Sequence, residues 1–203
     1  MPTTDTYQII TKITEGFYKE KGSKFFGYAI PCTNESDAKA HLVKFKKENP
    51  NACHVCFAWR FGKDNTKYIE RISDDGEPSN SAGKPIFGQI QAYEVTNILI
   101  AVVRIYGGTN LGVGGLMHAY KTAAKEALEK ATIIKNSICD YYTVKFDQSA
   151  TGKAYEMMRR LKLDIVNTSY DVIEFKVEQS RSKLIENEFE TLPWFNITFL
   201  KTE

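Results

Sequence analysis

Residue types able to do chemistry gather in two short stretches of the 203-residue chain, with His54 upstream of them. Ile72 to Ile90, ISDDGEPSNSAGKPIFGQI, carries Asp74, Asp75, Glu77, Gly83 and Lys84. Ala101 to Tyr120, AVVRIYGGTNLGVGGLMHAY, carries Arg104 and then Gly107, Gly108 and Gly112. His54, Asp75 and Glu77 are the types used in general acid–base or metal-assisted hydrolysis. Facing Arg104, the acids Asp74, Asp75 and Glu77 make instead a structural ion-pair network that performs no chemistry. The network is the favoured reading, because a guanidinium leaving a buried strand must be paired and because structural ion pairs perturb carboxylates as active sites do. A third chemistry belongs to the backbone. N–H groups around Gly83, Gly107, Gly108 and Gly112, at the starts of two helices, can meet a phosphate, with Lys84 and Arg104 adding charge. The glycine intervals fit neither a Walker A loop nor a dinucleotide fingerprint.

The elements that must position these residues follow from pattern. Asp74-Asp75-Gly76 is a turn, Pro78 blocks ladder pairing, and Ser79-Asn80-Ser81 continues a loop. Ile86, Phe87, Ile90 and Tyr93 then recur at helical spacing, with Pro85 in the first turn. Ile98 to Val103 is a continuous apolar run, the mark of a strand buried on both faces, and Arg104 ends it. Leu116, Ala119, Tyr120, Ala123, Ala124, Ala127 and Leu128 form one face of a long helix after the glycine loop. Upstream, Tyr7 to Ile13 reads as a strand, and Phe17 to Ile30 as a strand region broken by Lys21-Gly22-Ser23-Lys24. That basic turn reads as a solvated hairpin tip, with a phosphate contact as the alternative. A helix capped by Asn34 or Ser36 follows, with Ala38, Leu42, Val43 and Phe45 inward and Lys39, Lys44, Lys46 and Lys47 outward. His54 lies in a strand-like run through Trp59 and reads as a satisfied core or rim histidine.

DDGEPSNSAGKPI, VVRIYGGTNLGVGGLMHAYKTAA and the upstream CHVCFAWRFG together resemble the bacterial YigZ branch of the IMPACT family, over most of Gly16 to Leu128. The resemblance implies an N-terminal domain similar to the second domain of ribosomal protein S5 and a small ferredoxin-like domain after it. It also implies a link to translation, which the eukaryotic relatives regulate, and it implies no known reaction. In relatives the stretch around His54 resembles His-His-x-Cys; here only His54 and Cys56 match, and Cys53 takes the place of the first histidine.

A formal charge of +2 excludes a broadly basic surface and leaves nucleic-acid binding to a local patch. No apolar stretch is long enough for a membrane span and the start lacks signal-peptide character, so the expected location is the cytoplasm, with no membrane partner. Cys53 and Cys56 form one C-x-x-C without a second pair, and the four cysteines read as buried reduced thiols; neither a metal nor a cofactor is expected. After Gly115 the only glycine is Gly152, a composition shift that puts a domain boundary near Ser137, giving domains 1–137 and 138–203. The second reads β-α-β-β-α-β, the split βαβ order. Most of Tyr141, Phe146, Tyr155, Tyr170, Phe175, Trp194 and Phe199 are expected in its core, for want of an RRM-type signature.

The whole is expected to be α+β with two domains. The expected function is a non-enzymatic, translation-associated protein that binds RNA, the ribosome or a translation-associated protein through the glycine-loop face. Two alternatives stand beside it: a metal- or phosphate-dependent, hydrolase-like enzyme using His54, Asp75 and Glu77, and a protein-docking regulatory module.

Overall fold

In the computed structural model of the chain, residues 5–63 and 67–203 are described. They gather into two compact units, Tyr7–Asn136 and Ser137–Glu203, with Asp5 and Thr6 belonging to the second.

The first unit is built on a five-stranded antiparallel sheet in the order β2-β3-β6-β4-β5. Its strands are β2 (Thr14–Glu20), β3 (Ser23–Pro31), β4 (His54–Phe61), β5 (Ile69–Ser73) and β6 (Ile98–Ile105). The apolar run of β6 alternates between two cores. Ile98, Ile100 and Val102 pack with α2 (Gly83–Ala92) and α3 (Gly112–Glu129), whereas Leu99, Ala101 and Val103 pack with α1 (Glu35–Glu48). Burial on both faces therefore arises in an antiparallel sheet, because helices cover each side of its central strand. The seven residues expected to form the inner face of α3 are its buried residues. Asn34 caps α1 by accepting from the Asp37 N–H at 2.9 Å. Val43 is 68% exposed, against expectation, because it lies about 100° around the helix from Leu42 and off the Ala38–Leu42–Phe45 stripe. The opening strand, β1 (Thr6–Ile10), ends short of Ile13 and pairs with β7 (Ile133–Ser137).

Lys21 and Gly22 form the two-residue turn between β2 and β3. Both have positive φ, 46° and 80°, as the tight hairpin turns require, and Glu20 pairs directly with Ser23.

The second unit is ferredoxin-like: β8 (Cys139–Phe146), α4 (Thr151–Arg160), β9 (Asp164–Thr168), β10 (Val172–Glu178), α5 (Ser182–Glu190) and β11 (Phe195–Thr202), in sheet order β11-β8-β10-β9. Tyr142, Val144, Phe146, Ile173, Phe175 and Val177 share a core with Ala154, Met157 and Met158 of α4 and Ile185 and Phe189 of α5. The expectation for its aromatics needs correcting: Phe146 and Phe175 are buried, but Tyr155, Tyr170, Trp194 and Phe199 are exposed. Tyr170 and Trp194 sit on connections, where no helix covers them, and Phe199 is on the edge strand β11 beside a register shift. Residues 138 and 139 are held by both extremities of the described chain. The Ile138 N–H donates to the Asp5 carbonyl, and Cys139 and Glu203 exchange backbone hydrogen bonds of 2.9 and 2.8 Å.

Among the described residues no helix is long and apolar enough to cross a membrane.

Candidate functional site

Sheet register sets the site. His54, at the start of β4, pairs with Arg104 near the end of β6, and Phe25 of β3 pairs with Arg104 from the other side. Arg104 thus emerges on the face that α2 and α3 cover, with its guanidinium 5.5 Å from the Phe25 ring centroid. It is 6% exposed, and burial of a cation requires a partner. Glu77 supplies it: Oε1 accepts from Arg104 Nη1 at 2.5 Å and from the Tyr120 hydroxyl at 2.7 Å. Burial works against the charge on Arg104, but the hydrogen bond and charge of Glu77 hold its pKa above the ordinary value. The Tyr120 hydroxyl is pushed upward by burial first, then by Cys56 and Glu77.

His54 stands beside this pair. Its Nδ1 lies 2.7 Å from the Asp75 carbonyl, which can only accept, so Nδ1 carries a proton. Nε2 then points toward Glu77 Oε1, 4.0 Å away and beyond hydrogen-bond reach.

The three acids have separate jobs. Asp74 Oδ1 accepts from the Ala82 and Gly83 N–H groups at 3.0 and 2.8 Å, and Oδ2 accepts from Asn80 N–H at 2.9 Å. This is the capping work that Ala82, without a polar side chain, cannot do for α2. Asp75 accepts from the Val55 N–H at 2.8 Å and from Lys46 Nζ at 2.7 Å, pinning the turn to β4 and to α1. Only Glu77 meets Arg104. The expected network of Asp74, Asp75, Glu77 and Arg104 is therefore corrected to a single buried pair plus two turn-locking acids. Of the trio expected for metal or hydrolase chemistry, His54 meets Asp75 only through its backbone carbonyl, and its Nε2 stands 4.0 Å from the Glu77 carboxylate that Arg104 and Tyr120 already occupy. Among the described residues no group of three or more His, Cys, Asp or Glu side chains is placed to hold a metal ion.

The expected anion-binding amides divide in the same way. Gly83 N–H is taken by Asp74, and Gly107 N–H donates to Ser23 Oγ at 3.1 Å, so neither is free for a phosphate. Gly107 is required for contact: a Cβ there would sit 1.9 Å from the backbone carbon of Gly22. Arg104 is committed to Glu77, although its buried Nε has no hydrogen-bond partner. Gly108 and Gly112 are exposed, with φ of 84° and 72°, and α3 begins at Gly112 with no side-chain cap. Lys84 is exposed.

A cleft of about 520 Å³ lies above this pair, lined among others by His54, Glu77, Arg104, Tyr106, Leu111 and Gly112. The Gly22–Gly107 contact brings the hairpin tip, with Lys21 and Lys24 exposed, next to the loop that feeds α3. Cys53 also lines the cleft, exposed rather than buried as expected; its thiol lies 3.3 Å from the Arg104 carbonyl. Sequence reasoning missed Tyr120, which falls in the apolar stripe of α3 and reads as core, and Ser23, whose hydroxyl holds Gly107.

An antiparallel sheet with a buried Arg–Glu pair and a glycine loop opening onto a cleft defines a class, and comparison with known proteins identifies it. The Impact N-terminal domain family matches residues 21–128, which include every residue of this cleft, and the chain belongs to that family. It is 32% identical to the IMPACT family member YigZ of Escherichia coli, over 74% of each chain. A hypothetical protein of known crystal structure shares the fold, with a TM-score of 0.68 and 24% identity over 98% of each chain. A solved structure described as the two-domain translational regulator Yih1 is 27% identical, over 61% of this chain and 47% of its own, with a TM-score of 0.38.

Proposed function

We propose that this IMPACT family member is a translation-associated binding protein that holds RNA of the translation apparatus at the N-terminal cleft. One observation carries the reading: the uncapped start of α3 at Gly112 opens onto the cleft beside the exposed Lys21–Lys24 tip. A helix N-terminus without a side-chain cap favours an anion, and lysines add charge. Such contacts fix a phosphate backbone in place without reading sequence. Arg104, held by Glu77, lines the cleft. The resemblance to a family whose eukaryotic members regulate translation supports the choice of partner. A cytoplasmic location goes with it, and all four cysteines being free fits a reducing compartment.

The test is binding to ribosomes and to structured RNA across a salt series. Affinity falls with salt, and a Lys21→Glu/Lys24→Glu variant binds about tenfold more weakly with a salt slope shallower by about two. No binding at low salt overturns the reading. Binding indifferent to salt replaces RNA with a protein partner.

A further inference from the structure

We infer that the second unit carries its own pocket for a nucleobase of single-stranded RNA, separate from the N-terminal cleft. At one end of the four-stranded sheet lies a cleft of about 410 Å³. Three connections build it: the turn after β8 with Asp147 and Gln148, the β9–β10 turn with Tyr170, and the α5–β11 connection with Trp194.

Its chemistry is unusual for a surface. Tyr170 is 73% exposed and Trp194 is 48% exposed, and among the described residues neither ring is paired with another ring. Large aromatic faces left in water beside a cleft mark a binding surface more than a folding need. Lys153 Nζ stands 4.0 Å from the Trp194 ring centroid. That cation supports the ring from one side and is placed to meet a phosphate attached to a stacked base.

The polar lining selects among flat ligands. Gln148 and Asn196 present amide heads, each with donors and an acceptor, as the edge of a base does. Lys145 and Asp171 neutralise one another across 3.5 Å, and Asp147 adds a negative charge to the lining, so the cleft suits an uncharged ring better than a bare anion. A proline ring could stack on the same aromatics, but it has no polar edge to engage both amide heads. The inference extends the proposed function to a second unit and a different part of the RNA, its bases in place of its phosphates, and stands on residues that the N-terminal cleft does not use.

The chain contains its own reporter. Of its two tryptophans, Trp59 is fully buried and stacked between Phe57 and Phe61, so a bound base quenches the emission of Trp194 alone. The experiment titrates the full chain with uridine and adenosine trinucleotides and, separately, with a proline-rich peptide. Trinucleotides are expected to quench part of the emission, and the quenchable part disappears in Trp194→Leu. Tyr170→Ala, at an exposed position that leaves the fold intact, weakens binding about fivefold or more. Gln148→Ala weakens it as well, and Lys21→Glu/Lys24→Glu leaves the trinucleotide titration unchanged, which separates this pocket from the N-terminal one. Absence of quenching at millimolar trinucleotide, quenching by the peptide alone, or quenching untouched by Tyr170→Ala each overturns the inference.

Discussion

Glu77 concentrates the electrostatics of the first unit on one oxygen, which accepts from both Arg104 and Tyr120. Removing its charge with Glu77→Gln leaves a buried guanidinium without a counter-ion, and we expect a loss of about 3 kcal/mol in urea unfolding. Replacing both partners with apolar side chains, Glu77→Leu with Arg104→Met, should cost less than the single change, because no uncompensated charge remains. The pH response follows from Cys56 and Tyr120, whose pKa values burial raises above 9.0 and 10.0. The folded chain keeps protons that the unfolded chain releases above those values. Stability from these groups is therefore complete below pH 9 and declines as pH rises, by at most about 1.4 kcal/mol per pH unit for each group. Urea midpoints at about pH 8 and pH 10.5 measure this, and Tyr120→Phe should shrink the difference.

At the scale of elements, Asp74 acts as a cap for a helix whose own N-cap position, eight residues later, is an alanine without a capping group. Asp74→Ala should cost about 2 kcal/mol and speed hydrogen exchange at the Ala82 and Gly83 amides while leaving the α3 amides unchanged. The inner face of α3 and the double-sided burial of β6 were legible in the sequence, because periodicity reports directly on burial. β5 was not, since it is an edge strand whose residues are nearly all exposed and leave no alternating apolar record. That Arg104 needs a carboxylate was legible from its place at the end of an apolar strand. Which carboxylate was not: three acids within four residues look alike until turn geometry, with Asp75 at φ 43° and Gly76 at φ 93°, aims each one differently. The glycine loops showed where backbone comes close, but not whether an amide faces solvent or, as at Gly107, a serine hydroxyl 84 residues away in sequence.

At the scale of the molecule, the second unit is discontinuous in sequence. Besides its backbone bond to Ile138, Asp5 accepts from the Ser180 N–H with both carboxylate oxygens at 3.1 Å. Asp5→Ala should therefore weaken the second unit, by about 1 kcal/mol, and leave the first unaffected; exchange rates resolved residue by residue test this. Because residues 5 and 203 hang on consecutive positions, 138 and 139, the order in which the polypeptide is threaded is separable from the architecture it forms. A permutant in which a short flexible linker joins 203 to 5, with new ends cut at the exposed Pro50–Asn51 turn, should refold to the same pair of sheets. It would also present both new ends for surface tethering at that turn of the first unit.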